Sequence, residues 1–536
     1  MKKLPVLLLL IASFASGMIT AQTRYLQPVF DNVTKDGGIV YGVNATVLYY
    51  TVLGQAVPEA LKLDVYRPEG DTATNRPLVL IFHTGNFLPF YNPSNPTQGG
   101  FNGSCGGTRT DSFPVEAAHR LASMGYVVAS VDYRLGWNPL APTDVDRRYA
   151  LINAVYRGIQ DARTAIRYFR KTVAEAGNPW GIDPDKIVLW GQGTGGYITL
   201  NTAALDNYLK IPTASGGKFV WDHDQNPNTP PIPMIIEPVN GDIYGTSVGQ
   251  VPNASAPNGL DTLCYPNHVG YSSDFQLCVN MAGAVGDSTW LSPGQPPMIS
   301  YHVPTDNYAP YNEGIVNVPG TPLQVVRVVG SYFAQQKAEA YGNNTSFIDA
   351  GVVFDLTAEQ ELAFANSPLL QPGNVDVSDP TPGLYPFLQP GNPPATTAPW
   401  EWTSFVPAAP ATCNNDKAVA ISYVDTVMRF YAPRACFALG LQECIDAVVG
   451  QNEPQAQNIA LNAAPNPASS EIRLTSEMEH PMLAIQVYDR TGRLVQLHNN
   501  VNANNFTIER NGLVSGLYVI KVSFKEGFMT KIVMFD

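Results

Sequence analysis

The sequence predicts an α/β fold, with a mostly parallel central sheet covered by helices on both faces, followed by a small all-β domain. Continuous apolar runs alternate with helical stripes, which is the pattern of a doubly wound parallel sheet. The apolar run Ile187–Trp190 is closed by glycines and followed by helix-forming residues, as a central strand entering a sharp turn would be. Beyond residue 462 the chain changes to short alternating strands separated by turn residues, which predicts a β-sandwich.

The first half of the chain carries the clearest α/β rhythm. An alternating strand comes first, then a continuous buried strand, a helix, another buried strand and a second helix, whose apolar residues recur at i, i+3, i+4 and i+7. In order, these segments are Leu61–Pro68, Pro77–Phe82, Pro114–Met124, Tyr126–Asp132 and Asp161–Thr172.

The segments after residue 200 are less regular. Residues 214–259 are rich in loop-forming residues and predict an insertion or cap. Phe275–Ala284 and Pro297–Tyr301 predict the last central strands, and an apolar stripe at Val424, Val427, Met428 and Tyr431 predicts a helix near the end of the domain.

Targeting and charge features divide the 536 residues into four parts. Residues 1–21 have a positive start, a short apolar core and a small residue before the cut, which is typical of a signal peptide. We expect the α/β domain at 22–447, a polar linker at 448–461 and the β-domain at 462–536. No other apolar stretch is long enough to span a membrane, and the net charge of −13 argues against nucleic acid as a partner.

Six cysteines in an exported chain suggest disulfides. Six cysteines allow 15 pairings. Closeness along the chain favours Cys264–Cys278 and Cys436–Cys444. Zinc binding is the alternative, but the chain has no Cys-x-x-Cys pair and its histidines are scattered.

Residues 40 to 435 resemble the carboxylesterase/lipase branch of the α/β-hydrolase fold. The resemblance rests on Leu61-Lys-Leu-Asp-Val-Tyr-Arg-Pro68, His83-Thr-Gly-Asn-Phe87, Met124 to Gly136, Gly181 to Gly191 and His302 to Tyr311, in the family's order. It implies an esterase-type fold and, in the family, a serine, an acid and a histidine in that chain order.

The catalytic triad that the resemblance implies is incomplete in this chain. Position 193, where the family's Gly-x-Ser-x-Gly motif carries its serine, is glycine. Asp306 stands at the acid position, with a turn-capping aspartate as the alternative interpretation, and His302 matches a structural histidine. The base is unidentified, because only His480 and His498 follow Asp306 and the segment Ala398–Thr403 lacks a histidine.

The oxyanion loop is also altered, since the family's His-Gly-Gly is His83-Thr84-Gly85 here. The backbone N–H groups of Gly85, Asn86 and Thr194 are the expected oxyanion donors.

Three weaker candidates remain. The Thr194 hydroxyl is a possible nucleophile one residue too late in the turn. Ser247 lies in a literal Gly-x-Ser-x-Gly sequence without a following helix, with His268 or His302 as a conceivable base. Asp222, Asp224 and Asn226 have the spacing of a calcium loop but lack its glycine and closing glutamate, so a solvated polar loop is the alternative and we assign no metal.

The β-domain is similar to the type A C-terminal sorting domain of bacterial type IX secretion. Ala464–Ala468, Val487–Gly492, Gly516–Val522 and Lys531–Met534 carry that resemblance, and an adhesive β-domain is the alternative. It implies that the secretion machinery is a partner and that the chain is secreted or attached to the cell surface.

Two functions therefore compete at the level of sequence. The first is a non-catalytic binding or adhesion protein, since the chain resembles neuroligins, which keep the esterase fold with glycine at the nucleophile position. The second is a secreted carboxylic ester hydrolase with an unrecognised nucleophile. In either case the expected ligand or substrate is a small ester, a carboxylate, or a glycan or protein at the cell surface. We expect no cofactor.

Overall fold

The computed structural model of the chain describes residues 23–89, 107–222, 226, 228–349, 381–387, 397–403, 413–414, 416–445, 459–489, 494–498, 501–524 and 527–536. The proposed signal peptide and nearly all of the proposed linker lie outside these residues. None of the helices in the described part of the chain is long and apolar enough to cross a bilayer.

The central sheet has eight strands in the order β1-β2-β4-β3-β5-β10-β11-β14. The strands from β4 to β14 run parallel, and β1 and β2 extend the sheet by antiparallel pairing. The strands are β1 Val33–Thr46, β2 Val57–Pro68, β3 Arg76–Phe82, β4 Val127–Val131, β5 Ile182–Gln192, β10 Leu277–Met281, β11 Met298–His302 and β14 Leu384–Pro386.

Helices cover both faces of this sheet. All seven residues of β3 are buried, and they alternate between two apolar cores: Leu78, Leu80 and Phe82 pack on one side, Val79 and Ile81 on the other. The sheet therefore supplies both cores, which explains why its inner strands are continuously apolar. The helices are α1 Tyr50–Leu53, α2 Ser112–Ser123, α3 Asp144–Glu175, α4 Thr194–Ala204, α5 Glu237–Asn240, α6 Ser331–Ala340, α7 Thr345–Asp349 and α8 Lys417–Ala438.

Helix α3 is much longer than the sequence pattern indicated. It begins at Asp144 because Thr143 and Asp146 form a capping box: Thr143 Oγ1 accepts from the Asp146 amide at 3.0 Å, and the Asp146 carboxylate accepts from the Thr143 amide at 3.3 Å. Polar residues beyond this cap, such as Arg147 and Asn153, are buried, so apolar periodicity alone does not reveal its first half.

Short antiparallel ribbons occupy the connections. β8 pairs with β9, and β12 pairs with β13. The bounds of the minor strands are β6 Val220–Trp221, β7 Ile232–Pro233, β8 Gly249–Pro252, β9 Leu260–Cys264, β12 Glu313–Asn317, β13 Gln324–Val329, β15 Ala398–Trp402 and β16 Cys413–Asn414.

The C-terminal part forms two antiparallel sheets, β17-β18-β21 and β20-β19-β22-β23. Ile472 and Ile508 of the first sheet and Val487 and Ile520 of the second belong to one apolar core, as in a sandwich. The strands are β17 Asn462–Ala464, β18 Glu471–Thr475, β19 Ala484–Asp489, β20 Leu494–His498, β21 Asn505–Glu509, β22 Gly516–Phe524 and β23 Gly527–Phe535.

One of the two expected disulfides is present. Cys436 and Cys444 are bonded, which confirms that pair. The pair Cys264–Cys278 is wrong, because both residues are buried free thiols. Cys278 lies in β10 at the centre of the sheet, whereas Cys264 ends β9 and packs against Gly241, so closeness along the chain does not bring the two sulfurs together. Cys413 is also disulfide-bonded.

Candidate functional site

The turn between β5 and α4 adopts a conformation that glycine favours. Gly193 has φ 54° and ψ −114°, its amide donates to Met281 O at 2.7 Å, and its carbonyl accepts from the Tyr197 amide at 3.1 Å. Such a backbone strains any other residue by about 1–3 kcal/mol. Strand, turn and helix thus follow one another here as the sequence predicts. The assignment of Gly193 to the nucleophile position stays a prediction from the resemblance.

The volume in front of Gly193 is filled by Thr84. A Cβ atom built on Gly193 would overlap Thr84 Oγ1 and lie 2.7 Å from Thr84 Cβ. The same Thr84 hydroxyl accepts a hydrogen bond from the Thr194 amide at 3.3 Å. Thr84 therefore occupies the space into which a serine at position 193 would project, and it also takes up one of the three expected oxyanion donors. Sequence reasoning noted Thr84 as a departure but did not assign it this place.

The Thr194 side chain is turned toward Tyr133. Its Oγ1 lies 2.9 Å from the Tyr133 hydroxyl, which itself donates to the carbonyls of His83 and Thr84 at 2.9 and 3.2 Å. Since the phenol has one proton, and the carbonyls accept it, the Thr194 hydroxyl is the donor to Tyr133. Burial raises the pKa of Tyr133 well above its usual value. The phenol therefore stays protonated at neutral pH and cannot take the proton of the Thr194 hydroxyl.

The loop after β3 holds the other two expected oxyanion donors. Gly85 and Asn86 both have positive φ, at 112° and 60°. The loop is fixed from behind by bonds from Trp137 Nε1 to Asn86 O and from the Gly136 amide to Phe87 O, both 2.7 Å. Among the described residues the amides of Gly85 and Asn86 have no hydrogen-bond acceptor. Their role as oxyanion donors stays a prediction.

Asp306 is buried and caps a turn. Its Oδ1 accepts from the amides of Tyr308 and Ala309 at 2.7 and 3.2 Å. Burial raises the pKa of Asp306 to about 7, against the opposing effect of those two hydrogen bonds. The geometry fits the turn-capping alternative. The acid role stays a prediction.

His302 lies near Asp306 but is engaged elsewhere. Its Nε2 is 3.9 Å from Asp306 Oδ2, and the two ring nitrogens bond Ala309 O at 3.1 Å and Ser331 Oγ at 2.7 Å. Burial lowers the pKa of His302 to about 4, so the ring is neutral at pH 7. With both nitrogens occupied, His302 has the position of a structural histidine.

His83 is the imidazole adjacent in sequence to Thr84, yet it faces away from the Thr84 hydroxyl. Its Nδ1 bonds Thr84 O at 2.6 Å, its Nε2 lies 3.8 Å from Asp132, and its ring stacks on Tyr133. Burial lowers the pKa of His83. No imidazole in the described part of the chain hydrogen-bonds the Thr84 or Thr194 hydroxyl.

A buried carboxyl lies where the resemblance places the missing base. Glu401 on β15 accepts from Gln192 Nε2 at 3.0 Å and from the Phe113 amide at 2.9 Å, and it also bonds Ser112 Oγ. Burial raises the pKa of Glu401 to about 7. Glu401 ties β15 to the start of α2 and to the residue before Gly193. Sequence reasoning missed it because an isolated glutamate between two tryptophans carries no spacing signal.

Ser247 lies in a turn rather than at a strand-to-helix junction. Its Oγ accepts from the Asp242 amide at 2.7 Å, and the strand β8 follows. His268 bonds Tyr41 O at 2.7 Å, and His302 has the partners described above, so neither ring is placed against Ser247. Ser247 as a nucleophile stays a prediction without a base among the described residues.

The weak calcium candidate is only partly described, because Asp224 lies outside the described residues while Asp222 and Asn226 lie within them. In the described ranges no three His, Cys, Asp or Glu side chains cluster as metal ligands.

Two family models match this chain. Residues 63–229, which include β3, Thr84, the Gly193 turn and α4, match BD-FAE, an esterase-like domain. Residues 462–535 match the secretion system C-terminal sorting domain. The chain therefore carries an esterase-like α/β domain and a type IX sorting domain, which indicates export and interaction with that machinery. It is secreted or attached to the cell surface.

Similar proteins include a secreted lipase and a bacterial esterase. Secreted lipase 5 of Gibberella zeae is 25% identical over 210 residues, which is 38% of this chain and 31% of the relative. The chain thus matches about a third of that relative's length. Thermogutta terrifontis esterase 2 phosphoramylated by tabun is 19% identical, covering 50% of this chain and 74% of the esterase, with a TM-score of 0.25. The propionate-bound form of the same esterase is 19% identical over 47% of this chain and 70% of its own, with a TM-score of 0.23.

Proposed function

We propose that the esterase-like domain is a non-catalytic binding domain, carried out of the cell by its sorting domain. The observation that supports this most directly is the Thr84 side chain standing against Gly193. If a serine at position 193 were simply replaced by glycine, the volume of its side chain would be empty, and the reverse substitution to serine would fill it again. Here the space is filled by another side chain, so a serine at position 193 cannot be accommodated without moving Thr84.

An incomplete triad would also leave little catalytic rate. Removing the serine or the histidine of a serine triad costs on the order of 10⁶ in rate. The catalysis that remains, about 10³–10⁴ over water, comes from the oxyanion donors and substrate binding. In this chain the Thr194 amide already donates to Thr84, so even that remainder loses one donor.

The amides of Gly85 and Asn86, which have no acceptor among the described residues, support a ligand with a carbonyl or carboxylate oxygen. Such a ligand is a small ester, a carboxylate, or a glycan or protein that presents one at the cell surface. Binding without turnover is the role that an esterase fold has in adhesion proteins such as neuroligins, which this domain resembles.

Butyrate is the probe for this binding. We expect it to raise the melting temperature of the wild-type chain, since a ligand that binds only the folded state stabilises it. Gly85→Ala should abolish the shift, because its Cβ would lie 2.9 Å from Gly107 Cα at a positive φ. Gly70→Ala is the matched control, with a positive φ and open space around its Cβ. A shift that survives Gly85→Ala contradicts the assigned site.

A second candidate is a secreted carboxylic ester hydrolase that uses the Thr84 hydroxyl as a relocated nucleophile. The observation favouring it is that Thr84 Oγ1 lies where a serine side chain at position 193 would stand, hydrogen-bonded by the amide at the start of α4. It requires a base, and the described residues place none on that hydroxyl.

Labelling with a fluorophosphonate probe, together with hydrolysis of p-nitrophenyl butyrate, separates the two candidates. For a non-catalytic domain we expect no labelled residue and hydrolysis at the background rate. Labelling and turnover that disappear in Thr84→Val, and persist in Thr194→Val and Ser247→Ala, establish the second candidate and end the first.

A further inference from the structure

Helix α1 exposes an apolar cluster on the surface. This one-turn helix has no buried residue. Val52 is 81% exposed, Leu53 49%, Tyr49 44% and Tyr50 40%. We refer to these four residues as the α1 patch. Single exposed apolar residues are ordinary, but four within five consecutive positions form a contiguous surface that water solvates poorly.

The α1 patch is held in a defined position by the β8–β9 hairpin. Asn253 Nδ2 donates to Gly54 O at 2.8 Å and lies 3.4 Å from the Tyr50 hydroxyl. Both carboxylate oxygens of Asp261 accept from the Ala56 amide at 3.1 Å. The polar groups around α1 are therefore tied to the protein while its apolar side chains point outward.

The two chain segments that form the α1 patch and the hairpin beside it contain no charged residue. Residues 37–58 and 243–260 contain no Asp, Glu, Lys, Arg or His, although the whole chain has a net charge of −13. Asp261, which follows the second segment, is buried, and its carboxylate accepts from the Ala56 amide and hydrogen-bonds the Tyr50 side chain, so it exposes no charge at the surface. These segments therefore expose no charged side chain beside the α1 patch, which suits a partner without net charge.

We propose that the α1 patch docks the protein onto a zwitterionic lipid surface. Valine and leucine side chains enter the acyl boundary of a bilayer, and tyrosines settle at the headgroup level, where one end of the ring is apolar and the other is wet. A protein partner fits less well, since a stable protein interface needs about 20–30 residues on each side. Four side chains on one turn are enough for peripheral lipid contact only.

Two contacts link the α1 patch to the loop of the candidate site. Leu48, two residues before Tyr50, packs on Gly136, where a Cβ would lie 3.0 Å from its Cδ2. The Gly136 amide in turn bonds Phe87 O in the loop that carries Gly85 and Asn86. The inference rests on the exposed surface alone and stands whether or not the site is catalytic.

Flotation of the full-length secreted chain with phosphatidylcholine vesicles tests the proposal. We expect the wild type to float with the vesicles, and Val52→Asp and Leu53→Asp each to lower the bound-to-free ratio about tenfold or more, because a charge replaces an inserted apolar group. Leu209→Asp is the matched control: this leucine is 61% exposed on a different surface segment, and its replacement should leave flotation unchanged. Flotation should be the same from 50 to 500 mM NaCl, because no charges take part.

Several results would overturn the proposal. These are a wild-type chain that does not float, a Val52→Asp chain that floats as well as the wild type, or flotation that requires anionic lipid and falls with salt. Concentration-dependent dimers in size-exclusion chromatography that Val52→Asp dissolves would assign the α1 patch to a second copy of the chain instead. Far-UV circular dichroism of each variant, expected to match the wild type because both residues are exposed, ties any loss to the surface.

Discussion

Replacing Gly193 by serine should destabilise the protein severely. The new Cβ overlaps Thr84 Oγ1 and lies 2.7 Å from Thr84 Cβ, in a backbone with φ 54° and ψ −114°. The backbone strain costs about 1–3 kcal/mol. Overpacking a filled space costs about 1–3 kcal/mol more. The expected loss is therefore roughly 2–6 kcal/mol, out of a typical total stability of about 5–15 kcal/mol.

The double variant Gly193→Ser/Thr84→Gly separates the two causes. Removing the threonine side chain relieves the overlap but not the strain, so we expect the double variant to regain about 1–3 kcal/mol relative to the sum of the two single changes. Gly177→Ser is the control for strain alone, since its φ is +71° and nothing lies within 4 Å of its Cβ.

Urea unfolding of the wild type, Gly193→Ser, Thr84→Gly and the double variant, together with the Gly177→Ser control, measures the free energies of overlap and of strain. A strictly additive cycle, or a Gly193→Ser chain no less stable than Gly177→Ser, would refute the claim that Thr84 fills the serine's place.

Three further predictions concern the ionisable groups and the cysteines. Because burial raises the folded-state pKa of Glu401 to about 7, the stability that this carboxyl contributes is present below its unfolded pKa of 4.5 and is lost as pH rises through 7. In urea unfolding at pH 5 and pH 8, the Glu401→Gln variant should lose about 3 kcal/mol of this pH dependence. A variant whose stability changes with pH as the wild type's does would contradict this. Cys264 and Cys278 are buried and free, so both should resist Ellman's reagent in the folded chain and react once it is unfolded in guanidinium; rapid reaction without denaturant would count against their burial. The Cys436–Cys444 bond closes a loop with a sequence separation of 8 residues, so replacing both cysteines by alanine should cost about 2–3 kcal/mol in the midpoint-derived unfolding free energy, and a loss near zero would argue against the cross-link.

Part of the fold follows from local patterns in the sequence. The apolar run before Gly193 predicts a buried strand because a central parallel strand is covered on both faces, and β5 is buried from Ile187 to Gln192. Helix α3 is harder to predict, because its first half buries Arg147 and Asn153, which donate to backbone carbonyls elsewhere in the chain. Hydrophobic periodicity cannot register such pairs, since it scores those residues as exposed.

Cysteine pairing shows the same limit. The bonded pair Cys436–Cys444 spans the end of α8 and the turn after it, so chain proximity and spatial proximity coincide. Cys264 and Cys278 are also close in sequence, but one ends a ribbon and the other lies mid-sheet. Only the packing of the strands distinguishes the two cases.

The sequence by itself determined that this chain has an α/β-hydrolase-type domain and a sorting domain, and that glycine stands at the turn where the family carries its serine. Stretches of a few tens of residues are enough to predict these properties, because hydrophobic periodicity, turn residues and motif spacing are local features of a sequence. The tertiary structure alone placed the Thr84 side chain against Gly193. Thr84 and Gly193 are 109 positions apart in the sequence and meet because β3 and β5 are neighbouring parallel strands whose carboxyl ends lie at one edge of the sheet.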